Sequence, residues 1–378
     1  MIEIREVKSL KERKEFLNFP LNLYKGDKNY APPLYMDEKN LFGKGNMYYD
    51  TCDQIFYNAY KDGKIVGRIQ GIIQKQYNEI HKEKRVRFSR FDAINNQEVA
   101  DLLLKSVEKW AMDKGMDTAC GPLGFSDMER EGLLVEGFDY PACFEETYNY
   151  EYYQKLIENN GYIKEVDWLA SQLRFNPEYY EKICKLNDYV LKRYKLHIVE
   201  PYKHESKKHF VHRIAPDFFY LVDEGYKKLY GVVPFTEKMK ESIIKEFTLI
   251  LNVKYVVILA NEENRGVAFG LCFPGVANAL RESGGKLTPK SIVRLLKTLK
   301  KPDVLDLGLM AVDPQYQNLA MNAPILKLCM DALHLYGIEH LETNGNLETN
   351  DKILACWKYF DAIQKQRRRS YVKKLNEE

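Results

Sequence analysis

Residues 308 to 329, GLMAVDPQYQNLAMNAPILKLC, have the order of elements that is typical of a phosphate-binding turn. An apolar run that ends at Val312 is followed by Asp313-Pro314, a short polar turn and an amphipathic helical pattern. The first backbone N–H groups of such a helix, together with its positive dipole end, favour a phosphate. Glycine normally lets the backbone approach a phosphate closely, but this turn contains none. The segment therefore predicts a phosphate site by position, with altered residues at the points of closest approach.

This turn belongs to the second of two similar series of predicted elements. In the first series, a hairpin over 54–73 precedes a strand over 86–94 and a helix over 95–115. The second series repeats that order with a hairpin (254–273), a strand (303–312), a helix (316–337), a strand (338–344), a helix (350–363) and a strand (367–375). The repeat predicts an α/β chain with mixed sheets, in two tandem domains that comprise residues 1–175 and 176–378.

Composition excludes several classes of protein. With 45% hydrophobic and 29% charged residues, the 378-residue chain has the balance of a globular protein, and no stretch approaches the roughly 18 apolar residues that span a bilayer. A net charge of +3 is too small to indicate nucleic acid or a membrane as a main partner. Seven scattered cysteines without a C-x-x-C pair predict reduced packing residues and no metal. We therefore expect a cytoplasmic protein with no membrane partner.

Two insertions and one basic run remain outside the repeat. Residues 124–147 and 274–302 are long enough to form lids or substrate loops. Lys365 and the three arginines from Arg367 to Arg369 form a basic run that is more typical of a protected edge strand or a solvated face than of nucleic-acid binding.

The series of elements around V-D-P-Q-Y-Q-N-L-A-M-N and E-T-N-G-N-L-E-T-N-D-K-I-L-A-C-W-K-Y-F resembles the core of the GNAT acyltransferase superfamily. The whole chain, from FPLNLYKGDKNYAPPL through GPLGFSDMEREGLLVEGFDYP, is similar to bacterial proteins with two GNAT-like units. The resemblance implies that acetyl-CoA or another acyl-CoA binds the second unit. Backbone of the strand would pair with pantetheine and the turn would hold the pyrophosphate; these residues are Met310, Val312, Gln317, Asn318, Leu319, Ala320, Met321 and Asn322.

Two departures from the family pattern concern this turn and the last helix. The pattern has two small residues, usually glycines, where this chain has Ala320 and Asn322. The family often places a tyrosine general acid seven residues after an asparagine that corresponds to Asn350, and Trp357 stands there. The matching turn of the first half, residues 92–100, has neither glycine nor the family's Gln/Arg, and we expect it to be structural.

The resemblance implies N-acyl transfer to a small-molecule or peptide amine. Glu342 is the candidate base, directly or through water, with Asn350 beyond it; the alternative is an edge-strand glutamate in solvent. An acidic and aromatic segment of the first half is the candidate acceptor pocket, or alternatively a solvated loop; its residues are Glu136, Asp139, Tyr148, Asn149 and Tyr152. Two other functions stay open: a non-catalytic pair of domains that binds a metabolite or protein, and an aminoacyl-tRNA-dependent transferase.

Overall fold

The computed structural model describes residues 1–43 and 45–375, which form two compact units. Unit 1 comprises residues up to Leu169, the segment Val276–Leu295 and the C-terminal residues from Lys365 on. Unit 2 comprises Ala170–Gly275 and Leu296–Gln364. The second insertion thus contributes most of its length to unit 1. The division expected at residues 175 and 176 stays a prediction.

Strands and helices alternate along both units, and the α/β fold class with mixed sheets is confirmed. The strands are β1 Ile2–Glu6, β2 Cys52–Lys61, β3 Lys64–Gln74, β4 Arg85–Ala93, β5 Thr118–Gly121, β6 Leu133–Glu136, β7 Ile163–Arg174, β8 His197–Ile198, β9 Val256–Ala260, β10 Gly266–Pro274, β11 Val304–Val312, β12 His340–Thr343, β13 Asn346–Leu347 and β14 Asp361–Lys374. The helices are α1 Leu10–Leu23, α2 Tyr35–Asn40, α3 Lys75–His81, α4 Gln97–Asp113, α5 Tyr152–Glu158, α6 Pro177–Arg193, α7 Lys207–Tyr226, α8 Glu237–Ile250, α9 Ala277–Arg281, α10 Pro289–Lys300, α11 Asn322–Leu335 and α12 Asp351–Leu354. In the described part of the chain, no helix has the length and apolar character needed to cross a membrane.

The predicted repeat is visible in the strand order of each unit. In unit 1 the strand order is β1-β2-β3-β4-β5-β14, and in unit 2 β12-β11-β10-β9-β8. Each unit contains one parallel pair, β4 with β5 and β11 with β12, and a helix connects the two strands of each pair. The remaining neighbours in these two orders are antiparallel. A parallel pair needs such a crossover, and α4 and α11 supply it.

Both crossover helices cover an apolar face of their sheet. In unit 1, α4 packs Val99, Leu103 and Val107 into a core that includes Ile69 and Phe88. In unit 2, Leu326, Cys329 and Met330 of α11 meet Leu305 and Leu341. The spacing of these residues is the 3.6-residue period read from the sequence.

The last predicted helix is shorter than expected. The pattern over 350–363 predicted one helix, but α12 ends at Leu354, a 3-10 turn covers Trp357–Tyr359, and β14 begins at Asp361. The prediction was wrong because β14 pairs with β5 and β6, and these long-range backbone bonds override local helix preference.

The basic run near the C-terminus is paired inside unit 1. Arg369 donates Nε and Nη2 to the two carboxylate oxygens of Asp167, at 2.8 and 3.0 Å, and Arg367 donates to Asp167 at 3.1 Å. Arg368 forms an ion pair with Glu146 at 2.8 Å. The Asp167 side chain is 1% exposed. These arginines therefore form ion pairs within unit 1 and are not an unpaired basic surface.

Removing the Asp167 charge should destabilise unit 1. D167N would leave two arginines without their shared carboxylate, so we expect the free energy of unfolding to fall by about 2–4 kcal/mol in chemical denaturation at pH 7. Burial alone would raise the Asp167 pKa, but hydrogen bonds from Arg369 and Lys164 outweigh it and lower that pKa. Its contribution should therefore be present above about pH 4 and lost as the pH falls further. E3Q, which breaks an exposed pair with Arg5, is the control and should change nothing measurable.

Candidate functional site

A gap opens in the sheet of unit 2 where two parallel strands separate. Strand β11 pairs with β12 from Val304 to Leu307, while its pairing with β10 continues to Val312. The edge of β11 beyond Leu307 has therefore lost the neighbour that its backbone would bond. A splayed edge of this kind accepts an extended ligand in the manner of an added strand.

A bulge marks the point of separation. Gly270 faces Met310 and Cys272 faces Leu307, so β11 has one residue more than β10 in this interval. Such a bulge bends its strand and re-aims the residues that follow. Met310 and Val312 then pack against the cluster that includes Ile325 of α11.

The Tyr226 hydroxyl satisfies the backbone of Met310. It donates to the Met310 carbonyl oxygen at 2.9 Å and accepts from the Met310 N–H at 3.4 Å. Tyr226 is the last residue of α7, and 84 positions separate it from its partner. No local pattern in the sequence could have identified this contact. A ligand that pairs with Met310 has to replace one hydroxyl and nothing larger.

The turn after β11 is held by a buried carboxylate. Asp313 accepts from the N–H of Gln315 at 2.9 Å and pairs with Arg265 at 3.1 Å. The chain then forms a short 3-10 turn, Pro314–Tyr316, before α11 begins at Asn322. The predicted helix start at 316 was therefore six residues too early.

Two residues of this turn have left-handed backbone. Asn318 has φ 65° and Ala320 has φ 58°, a region that costs a non-glycine residue about 1–2 kcal/mol. Gln317, Asn318 and Ala320 are exposed, whereas Met321 is buried. The turn thus keeps the backbone geometry that glycine usually supplies, and it keeps it open to solvent.

The start of α11 has no cap of its own. The N-cap residue, Met321, makes no side-chain cap hydrogen bond, Ala323 donates its N–H to the Ala320 carbonyl at 3.0 Å, and Pro324 lacks an N–H. The Asn322 amide instead donates to Cys356 at 3.3 Å. Uncapped N–H groups at a helix start are satisfied by water or by an anion. All six predicted turn residues thus lie together at an open helix start.

Glu342 lies in a buried pair rather than in solvent. Its Oε1 is 3.0 Å from His340 Nε2 and accepts from Gln172 at 3.4 Å, and the residue is 7% exposed. Asp306, also buried, is its register partner on β11. Sequence reasoning missed both His340 and Asp306. The two-residue spacing of His340 and Glu342 places them on one face of the strand and was the available signal.

Asn350 and Trp357 have structural contacts. Asn350 caps α12, with its side chain accepting from the N–H of Ile353 at 3.4 Å. Trp357 is buried and donates to Asn346 at 3.0 Å. The catalytic role of Asn350 stays a prediction without a contact that favours it.

The matching gap in unit 1 is closed by its own residues. Pairing of β4 with β5 ends at Arg87, and a bulge follows on β4 as in unit 2. The Tyr153 hydroxyl accepts from the Ala93 N–H at 3.1 Å, and the Tyr152 hydroxyl donates to the Ala93 carbonyl at 2.8 Å. Asn96 caps α4. Unit 1 therefore bonds this backbone with two tyrosine hydroxyls, where unit 2 uses one, and it caps the helix start that unit 2 leaves uncapped.

Four of the five predicted acceptor residues of unit 1 bond to other parts of the protein. Glu136 pairs with Arg367 at 3.1 Å, Tyr148 donates to Asp27 at 3.0 Å, and Tyr152 is the Ala93 partner. Asn149 is buried and exchanges two hydrogen bonds with the Leu134 backbone. Asp139 is exposed. The structure does not bring the five side chains to one point, and the acceptor pocket stays a prediction.

The cysteines are free thiols, and all except Cys184 are buried. Burial raises the pKa of Cys52 and of Cys120 to about 11, which makes both poor nucleophiles. Among residues 1–43 and 45–375, no three His, Cys, Asp or Glu side chains are placed to hold a metal ion.

Comparison with known proteins agrees with this fold. A solved tandem GNAT protein from the clavulanic acid biosynthesis pathway is 10% identical and superposes over 100% of both chains with a TM-score of 0.58. The chain has the GNAT fold in two tandem units. Among sequence relatives, protein YghO of Escherichia coli strain K12 is 28% identical over 98% of this chain and 95% of its own length. A bacterial ceramide synthase of Caulobacter vibrioides is 25% identical over 92% of this chain and 91% of its own. No protein-family model matches the chain.

The strain at Ala320 can be measured directly. A320G should raise the free energy of unfolding by up to about 1 kcal/mol, because glycine adopts positive φ without the steric cost. A323G, three residues on and inside α11, is the matched control and should lower it by about 1 kcal/mol. Urea denaturation of both variants decides this, and destabilisation by A320G would contradict the left-handed geometry.

Proposed function

We propose that this protein is an N-acyltransferase that moves an acyl group from an acyl-CoA to an amine. The observation that carries the proposal is the gap of unit 2, where the edge of β11 is bonded at Met310 by one tyrosine hydroxyl and leads into an uncapped helix start through a left-handed turn. Unit 1 has the same strands and the same bulge, but two tyrosine hydroxyls bond its backbone and Asn96 caps its helix start. The weaker closure of unit 2 supports a ligand site there.

The residues around the gap fit a CoA thioester. The N–H and C=O groups of Met310 would pair with the pantetheine amides after replacing the Tyr226 hydroxyl. The N–H groups of residues 317–322 would hold the pyrophosphate, which the dipole of α11 also favours. Ala320 is exposed, and its methyl group is the smallest side chain that can stand there. A bound acyl-CoA would supply the activated thioester carbonyl.

The transfer requires three proton and bond changes. The acceptor ammonium loses a proton, its nitrogen attacks the thioester carbonyl, and the carbon–sulfur bond breaks to release a thiolate that is then protonated. Glu342, paired with His340, is the base that the structure favours, because imidazole and carboxylate in contact can share the accepted proton. Trp357 cannot protonate the thiolate. The thiolate must therefore take the proton that the base removed from the amine, or a proton from water.

Two observations favour an acceptor or acyl group with an apolar chain over the small or peptide amine expected from the sequence. An apolar cavity of about 20 Å³, room for about one water molecule, lies between α7, α8 and the β9–β10 hairpin of unit 2, and a long chain would have to widen it. It is lined by Ile214, Phe218, Ile243, Phe247, Phe269 and Leu271, among others. The relative from Caulobacter vibrioides is named for the synthesis of ceramide, an amide of a fatty acid and a long-chain amino alcohol. We therefore extend the proposed substrates to long-chain acyl-CoA and long-chain amines.

Titration calorimetry with acetyl-CoA and palmitoyl-CoA tests the cofactor site. The wild-type protein should bind at least one thioester, and A320E should lose that binding because its carboxylate repels the pyrophosphate. The matched control is N95E at the corresponding turn of unit 1, where Asn95 is exposed and the helix start is already capped. Loss of binding in N95E but not in A320E would place the thioester site in unit 1 and contradict the proposal.

The calorimetry also separates the alternatives. Absence of binding with both thioesters would remove the acyl-CoA proposal and return attention to tRNA-linked donors. Binding without turnover of any amine would favour a non-catalytic domain pair that binds a metabolite.

Steady-state kinetics tests the base. E342Q should lower kcat by about 100-fold or more, since general-base catalysis contributes that much, while calorimetric affinity for the thioester stays unchanged. The control is E262Q, which replaces an exposed glutamate of unit 2 that pairs with Lys195 and should keep full activity. Sphinganine, spermidine and a short peptide serve as acceptors, and the cavity predicts the highest kcat/KM for sphinganine. Equal activity of E342Q and wild type would exclude Glu342 as the base.

A further inference from the structure

Helix α10, Pro289–Lys300, exposes its apolar residues and turns polar ones inward. Ile292, Val293 and Leu296 are 40%, 55% and 60% exposed, and Leu287 just before the helix is 46% exposed. Ser291 is 2% exposed. Burial of apolar area would favour the reverse orientation. The exposed apolar face therefore has no role in the stability of the protein itself.

Local hydrogen bonds hold the helix in this orientation. The Ser291 hydroxyl donates to the Lys286 carbonyl at 2.7 Å, and its N–H donates to the Thr288 hydroxyl at 3.2 Å. The segment before the helix is fixed within unit 1, where Tyr35 donates its N–H to Gly285 at 3.0 Å. The apolar face is thus presented by a fixed element rather than by a loose loop.

The charged residues of α10 lie beside the apolar face. At about 100° per residue, Ile292, Leu296 and Val293 cover one arc of roughly 100°, which also contains Lys300 at the end of the helix, and Lys297 and Lys290 follow on the next arc. An apolar face flanked by lysines and arginines is typical of helices that lie in the plane of a membrane surface.

Positive charge is concentrated in this segment. Residues 286–301 contain six lysines and arginines and no acidic residue, although the whole chain has a net charge of +3. The rest of the chain is therefore net negative. Lys290 and Arg294 pair with Glu282, but within the described part of the chain no acidic side chain pairs with Lys297, Lys300 or Lys301. The segment thus has an attraction for anions that the remainder of the protein lacks.

We propose that α10 docks the protein on anionic lipid bilayers, with its exposed apolar residues in the headgroup region and its lysines on lipid phosphates. A second copy of the chain is the other occupant of such a face. A twofold contact through α10 would bring two identical basic segments together, and their repulsion disfavours it. An anionic bilayer accepts both the apolar face and the charge. The proposal does not depend on the acyl-transfer reaction.

Vesicle flotation of the full chain tests the proposal. The protein should float with vesicles of phosphatidylcholine and phosphatidylglycerol, remain in solution with phosphatidylcholine alone, and lose binding as salt is raised. The triple variant I292S/V293S/L296S should reduce the bound fraction at least about tenfold, since each loses apolar insertion. K297E/K300E should reduce it through charge alone.

Matched controls separate docking from general surface changes. L10S and I163S replace apolar residues on α1 and β7 that are 82% and 68% exposed, more than those of α10, and should float as the wild type does. All variants should keep the wild-type unfolding temperature, because the substituted side chains are exposed. The proposal is overturned if the wild type does not float with anionic vesicles, or if the triple variant floats equally well. It is also overturned if light scattering shows a wild-type dimer that the triple variant converts to monomer.

Discussion

The candidate site depends on one constraint, which is that the backbone of β11 needs hydrogen-bond partners beyond the point where β12 leaves it. Parallel pairing ends at Leu307, and β10 can satisfy only the other edge. A buried strand cannot leave such groups without partners. The bulge before Met310 sets which residue faces the gap, and the Tyr226 hydroxyl reaches it from the end of α7. A single hydroxyl is a partner that a ligand can replace, and the proposed binding site follows from this constraint.

The two units satisfy the strand backbone beyond the parallel pair in different ways. In unit 1, β4 has the matching bulge, and the hydroxyls of Tyr152 and Tyr153 bond the backbone of Ala93 from both sides. Tyr153 also joins a buried network with Tyr24 and Asp92, so its removal would disturb the core. The cap on α4 completes the closure. Unit 1 thus ties its backbone into its own core, while unit 2 bonds the matching backbone with one hydroxyl and leaves its helix start uncapped.

The repeat and most elements could be predicted from the sequence because they follow from local signals. The Asp62-Gly63 turn has φ values of 51° and 75°, as a two-residue hairpin requires, and α4 begins after Asn96 as its cap indicates. The end of α12 could not be predicted, since β14 forms through pairing with β5 and β6 far away in the chain. In the site, the turn residues were found by motif, but Tyr226 and the burial of Glu342 depend on tertiary contacts. The basic segment around α10 could not be recognised from the net charge, because a sum over 378 residues does not show a local excess of lysine and arginine.

Departures from folding rules in this protein coincide with the places where a ligand or partner is proposed. Ala320 keeps a left-handed backbone that glycine would adopt at lower cost, and α10 turns apolar residues outward while it buries Ser291. Elsewhere local sequence pattern and tertiary structure agree. The periodic apolar residues face the core, the arginines of β14 are paired, and the cysteines other than Cys184 are buried. In a consistent fold, local conflicts without a compensating contact are expected at functional sites. Under the proposed function, the uncapped turn of unit 2 would hold the anionic donor, and the basic, apolar helix α10 would contact the bilayer that contains a long-chain substrate.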